Sequence, residues 1–95
     1  MRVISRKALR SFWLVRPDSK QPLSVWFNIL SKNDYKSFVT LRNTFPSADQ
    51  VGDFVVFNIG GNKYRLIASV HFNRHKVYIR HVLTHQEYDK GDWKR

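Results

Sequence analysis

Residues 54–73 read FVVFNIGGNKYRLIASVHFN, and the fold turns on this stretch. Phe54 to Ile59 is rich in β-branched and aromatic residues, the composition of a strand. Gly60, Gly61 and Asn62 follow as a turn, because these residues tolerate the backbone angles that tight hairpins need. From Lys63 to Phe72 the side chains alternate. Tyr64, Leu66, Ala68, Val70 and Phe72 share one face. Lys63, Arg65, Ile67, Ser69 and His71 share the other. Asn73 to His75 is a polar tip, and Lys76 to Leu83 supplies the third strand of a meander.

The chain before this stretch has a different period. Arg2 to Ile4 reads as a short strand, and Ser5 as the N-cap of a helix starting near Arg6. Leu9, Phe12 and Trp13 recur at helical spacing. Pro17 stops that helix. Asp18 or Ser19 is the expected cap of the next, with Pro22 tolerated in its first turn. Leu23, Trp26, Phe27 and Leu30 fall at i, i+3, i+4 and i+7, one apolar stripe. A short helical segment from Phe38 to Arg42 precedes Pro46. Helices followed by an antiparallel sheet predict an α+β fold, with the N-terminal helices on one sheet face and a short C-terminal helix after Thr84.

Ninety-five residues are expected to form one domain, 1–95. There is no cysteine, which rules out disulfides and thiolate metal sites and fits a reducing cytoplasm. No apolar run approaches the ~20 residues of a membrane span. The segment MRVISRKALR lacks the apolar core of a signal peptide. Seventeen Lys and Arg face seven acids, a formal net charge of +10, and the basic residues are spread along the chain. That is the electrostatic footprint of a nucleic-acid or ribosome binder, or of a protein masked by an acidic partner.

If the Tyr64 face packs on the helices, Arg65 points away from them, onto a face that an antiparallel sheet can leave wet. In the third strand Val77, Ile79, His81 and Leu83 form the more apolar set and are expected to face the helices. This puts Arg80 on the open face with Arg65 and leaves His81 out of the candidates. Two outcomes fit the pattern. Each arginine pairs with Asp53, Glu87 or Asp89, or both await a phosphate that relieves their repulsion. The run THQEYDK then adds His85, which exchanges a proton near neutral pH, Tyr88, which can stack on a base, and Lys90, a point charge for phosphate.

Other chemistries read poorly. Glu87, Asp89 and Asp92 are interleaved with Lys90 and Lys94, so no carboxylate cluster for a metal is expected. The four histidines lack a zinc-site spacing. Gly60-Gly61 lacks the strand-loop-helix context of a nucleotide loop. No cofactor is implied.

The stretches FNIGGNKYRLIASVHFN (Phe57–Asn73) and KVYIRHVLTHQEYDKGDW (Lys76–Trp93) closely resemble HigB toxins of bacterial type II toxin–antitoxin modules. MRVISRKAL and FPSADQVGDFVVFN also fit. The resemblance implies a RelE-like α+β fold and an mRNA endonuclease, often ribosome-dependent. It also implies a HigA-like helix-turn-helix antitoxin, through which alone the protein would meet DNA. By position it implies Arg65, Arg80, His85, Tyr88 and Lys90 as catalytic. Asn62 and Lys63, at the mouth of the same face, join Arg65, Arg80 and Lys90 as RNA-binding. A metal-free ribonuclease needs a base for the ribose 2′-OH, cations for the charge at phosphorus and an acid for the 5′-oxygen. His85 fits base or acid. A non-catalytic RNA or ribosome binder of the same fold is the alternative.

Overall fold

The computed structural model describes residues 1–94. Strand β1 (Arg2–Ile4) leads into helix α1 (Arg6–Val15). The Ser5 hydroxyl caps α1 by accepting from the Lys7 amide, satisfying one of the donors a helix start leaves open. Pro17 opens a single 3-10 turn (Pro17–Ser19) that bends the chain into α2 (Lys20–Lys32). Neither expected residue caps α2 with its side chain. The Ser19 hydroxyl donates back to the Arg16 carbonyl, and Asp18 turns to the sheet. Helix α3 (Phe38–Thr44) is capped by Ser37.

Five strands form one sheet. They are β1, β2 (Asp49–Val51), β3 (Phe54–Ile59), β4 (Tyr64–His71) and β5 (Lys76–Thr84), in the order β1-β5-β4-β3-β2. β1 runs parallel to β5, and the other pairs are antiparallel. Leu9, Leu23, Trp26, Leu30 and Leu41 from the helices pack against Val55, Phe57, Ile59, Leu66, Ala68 and Val77 of the sheet. Phe57 anchors this layer, with Trp26 and Phe45 edge-on to its ring at 5.3 and 5.2 Å. Such aromatic pairs contribute about 0.5–1.5 kcal/mol beyond area burial. The α+β layering and the face assigned to Tyr64, Leu66 and Ala68 match the sequence reading.

The third strand departs from it. A β-bulge puts Ile67 opposite His81 and Ala68 opposite Ile79, so Arg80 has no partner in the ladder. One extra residue swaps the faces of everything beyond it. Val77 and Ile79 face the helices as expected, but Val82 and Thr84 continue that face. His81 and Leu83, expected toward the helices, turn with Tyr78 and Arg80 to the far side.

The far side is also not bare. Helix α4 (His85–Lys90) and the Asp92–Lys94 turn fold over it. Trp93 packs there on Val56 and Ile67, with Val51, Phe54, Leu83 and Tyr88 around them. Thr84 and Glu87 set the direction of α4 with a reciprocal capping box, Thr84 N donating to the Glu87 carboxylate at 2.9 Å and Glu87 N to the Thr84 hydroxyl at 3.2 Å. Gly91 closes the helix with a left-handed backbone, φ 76°, which glycine adopts without strain.

Asp18 ties the helix layer to the hairpin. It accepts from the Tyr64 hydroxyl at 2.6 Å and the Lys63 ammonium at 3.0 Å. The Tyr64 bond, then Lys63, holds its carboxyl below the usual range, while Asp18 raises the pKa of both partners. A depressed carboxylate stabilises the fold above its unfolded-state pKa, and that contribution disappears as pH falls through the folded-state value. Asp18 is half exposed, so solvent screens the effect. Asp18→Asn is therefore expected to melt below the parent at neutral pH, with the two melting curves converging in acid. A gap that persists when carboxylates are protonated would mean that packing, and not the charge, is lost.

Candidate active site

Arg65 enters β4 one residue past the turn and ends up buried, 7% exposed. Its Nη2 donates to Asn62 Oδ1 at 2.6 Å, and its Nη1 to the carbonyls of Tyr64 and Asn62 at 3.1 and 3.3 Å. The guanidinium carbon lies 5.6 Å from the centre of the Tyr88 ring. The expected solvent-facing arginine is therefore corrected to one covered by α4. No carboxylate pairs with it among the described residues. Its three bonds, all to uncharged oxygens, leave part of its donor fork unused. Burying a cation on neutral partners is costly, and a nearby anion offsets that cost.

Tyr88 carries two neighbours at once. Trp93 stacks on it with centroids 5.2 Å apart and rings 14° from parallel, and donates its indole N–H to the Tyr88 carbonyl at 3.0 Å. The sequence reading missed Trp93. The only signal was a lone tryptophan after the Gly91 helix stop, with nothing local to say what it covers.

His85 begins α4, and its amide donates to the Lys63 carbonyl, pinning the helix to the hairpin turn. Its Nε2 is 3.2 Å from Asp89 Oδ2, one helical turn on. Its Nδ1 is shielded and has no hydrogen-bond partner among the described residues. Asp89 thus occupies Nε2, and Nδ1 is turned away from solvent. Exchange with a substrate then requires Asp89 to release Nε2.

Arg80 and His81 stand on the bulge. Arg80 donates through Nε to Ser69 Oγ at 3.0 Å and lies 5.4 Å from the Tyr78 ring centre, leaving its terminal nitrogens without described partners. It shares a sheet face with Arg65 but stands on β5 beside Ser69, toward the other end of β4, so the two do not form one clamp. His81 is exposed and makes no side-chain hydrogen bond among the described residues. It borders two hollows. One, about 340 Å³, is also lined by Leu83, Glu87, Lys90, Asp92 and Trp93. The other, about 360 Å³, lies between α1 and β5. His81 escaped the sequence reading because strict alternation sent it to the helices.

Of the residues named from sequence, Asn62, Arg65 and Tyr88 meet in one contact chain, and Arg80 and Lys90 flank His81. Lys63 instead reaches over to Asp18. Glu87, not among the candidates, lines both hollows. Its carboxyl is held below the usual range, chiefly by the Thr84 amide. Among the described residues no group of three or more His, Asp or Glu is placed to hold a metal ion.

Residues 19–91 match the family model described as HigB_toxin, the RelE-like toxic component of a toxin–antitoxin system. The chain is 39% identical over 92 residues to the mRNA interferase toxin HigB of Escherichia coli K12, covering 94% of this chain and 88% of that protein. The mRNA interferase HigB of Shigella flexneri matches to the same extent. That of Escherichia coli O6:H1 strain CFT073 is 26% identical over 93 residues, covering 95% and 90%. A family match over most of the chain, relatives aligned nearly end to end, and a five-stranded sheet carrying basic side chains beneath a short C-terminal helix agree with one another. The chain belongs to the HigB toxin family, the RelE-like toxic components of toxin–antitoxin systems.

Proposed function

We propose that the chain is a metal-independent endoribonuclease of the bacterial cytoplasm that cleaves mRNA on the ribosome and is held inactive by a HigA-like helix-turn-helix antitoxin. The observation that carries this reading is Arg65, a buried guanidinium with no carboxylate partner among the described residues, lying against Tyr88 behind an exposed rim of Arg80, His81 and Lys90. The formal +10 charge and the names borne by the relatives support it.

The chemistry needs no group outside the chain and the RNA. A histidine takes the proton from the ribose 2′-OH, O2′ attacks the adjacent phosphorus, and the P–O5′ bond breaks as the 5′-oxygen takes a proton. The products are a 2′,3′-cyclic phosphate and a 5′-hydroxyl. DNA lacks the nucleophile. Arg80 and Lys90 hold the phosphate and meet the charge that grows on it. Arg65, fixed by Asn62, adds positive potential from behind and orients Tyr88. His81 is the exposed proton exchanger, and His85, held by Asp89, is the second. Lys63 contacts RNA after leaving Asp18, an exposed pair that is cheap to break.

The purified protein is expected to cleave mRNA on programmed ribosomes, leaving 5′-hydroxyl ends, with or without a chelator. Co-expression of a neighbouring helix-turn-helix protein is expected to restore growth. Ribosome binding without any cleavage would replace the nuclease with a non-catalytic binder. Loss of cleavage on chelation would require a metal.

A further inference from the structure

We propose that the groove between α1 and the bulged part of β5 is a nucleotide subsite, holding the single-stranded RNA on one side of the cut, with Arg16 taking the phosphate next to the scissile one that Arg80 holds. The inference rests on the endoribonuclease reading and adds a binding surface to it.

Helix α1 turns one face to this groove. Ala8 and Ser11 are small and leave it open, Phe12 and Val15 give it an apolar wall, and Arg16 stands at its end. Arg80, His81, Val82 and Glu87 line the opposite side. Its volume of about 360 Å³ lies at the lower end for small-molecule sites, the size range of one nucleotide.

Two features favour RNA. First, both arginines are held by aromatic rings and not by acids. Arg16 lies 5.5 Å from the Phe12 ring centre and Arg80 lies 5.4 Å from that of Tyr78. Neither forms an ion pair among the described residues. Arg16 is near enough to Glu87 to help hold its carboxyl low, but no acid bonds either guanidinium among the described residues, and cations fixed in direction with free donors suit a phosphate. Second, the groove is continuous with the hollow that holds Lys90 and Trp93, since His81 and Glu87 border both. A strand with its cut at His81 runs to Lys90 on one side and to Arg16 on the other. Glu87 is the one acid among the described residues lining the groove, and one of its oxygens accepts from Thr84 N at 2.9 Å. Its charge at the junction keeps the phosphate toward the arginines. The wall of Phe12 and Val15 offers contact without hydrogen-bonding groups, so this subsite accepts any base.

The test uses programmed ribosomes carrying an mRNA with a 2′-O-methyl at the cut and 4-thiouridine beside it, on either side in turn. One of the two placements is expected to crosslink to the α1 peptide spanning residues 8–16. Ser11→Trp, at an exposed position, fills the groove and is expected to abolish that crosslink. Arg16→Gln keeps the stem over Phe12 and is expected to raise KM about tenfold, the loss of one charge-assisted contact, with the single-turnover rate at saturation unchanged. Crosslinks that avoid α1 from both placements, with KM unchanged in both variants, would overturn the subsite while leaving cleavage intact. A parent protein that fails to cleave unmodified mRNA refutes the nuclease reading separately, since the crosslink reports binding without cleavage. Variants that keep the crosslink and KM but lose the antitoxin would assign the groove to a protein partner, and this too overturns the proposal.

Discussion

Arg65→Ala is expected to slow single-turnover cleavage by roughly 10²–10³-fold, the scale of losing one preorganised donor group. It should also weaken folding by about 1–3 kcal/mol, the range for leaving buried polar groups unpaired. The second effect follows from burial. The substitution strips Asn62 Oδ1 and the Tyr64 carbonyl of a donor and removes the cation beside Tyr88. Removing a desolvated charge works the other way and places the stability loss toward the low end of that range. Arg65→Lys separates charge from shape. A lysine keeps the charge, but its single ammonium cannot bond Asn62 and Tyr64 while lying flat over Tyr88. It is expected to recover less activity than stability. Rates must be compared at matched folded concentration, with urea unfolding run on the same samples. Parental cleavage by folded Arg65→Ala protein would remove Arg65 from the site.

The other large effect concerns the two histidines. His81→Gln is expected to slow the cleavage step by roughly 10²–10⁴-fold and to remove one limb of its pH–rate profile. Folding should be unaffected, because the side chain is exposed and bonds nothing among the described residues. His85→Gln is expected to lose less. In the structure Nε2 is taken by Asp89 and Nδ1 is shielded, so much of the effect of His85 passes through the placement of α4. Ribosome binding should hold in both variants, since phosphate contacts from Lys and Arg supply it. Measurement across pH on programmed ribosomes distinguishes the two. A parental rate and profile for His81→Gln would return proton transfer to His85.

The hairpin, the helical stripes and the C-terminal helix were legible because each is written in local spacing. Alternation from Tyr64 to Phe72 fixes which side chains meet the helices, and a single pairing register satisfies it. The stripe of Leu23, Trp26 and Leu30 fixes the buried side of α2. Strand β2 was not legible, as three residues are too few to show a period. The capping box of Thr84 and Glu87 was legible, since Ser or Thr followed three residues later by Glu is a helix-start signature, but the reading passed over it.

The sequence by itself therefore determined the layer order and the helix-facing side of β4, and it set Arg80, His85, Tyr88 and Lys90 close together along β5 and α4. Only the tertiary structure decided how those groups are presented. A bulge is invisible to periodicity, because it appears only when two strands are paired and one must accommodate an extra residue. That single insertion brings His81 out of its expected core position and sets it beside Arg80. The burial of Arg65 depends on Tyr88 and Trp93, more than twenty positions away, closing over a face that alternation alone leaves open. Whether Asp18 takes Lys63, or Asp53 and Glu87 take the arginines, depends on distances that span the whole chain. Local pattern records which way a side chain points along its own strand or helix. What covers it, and which charge it meets, is fixed only when distant segments pack.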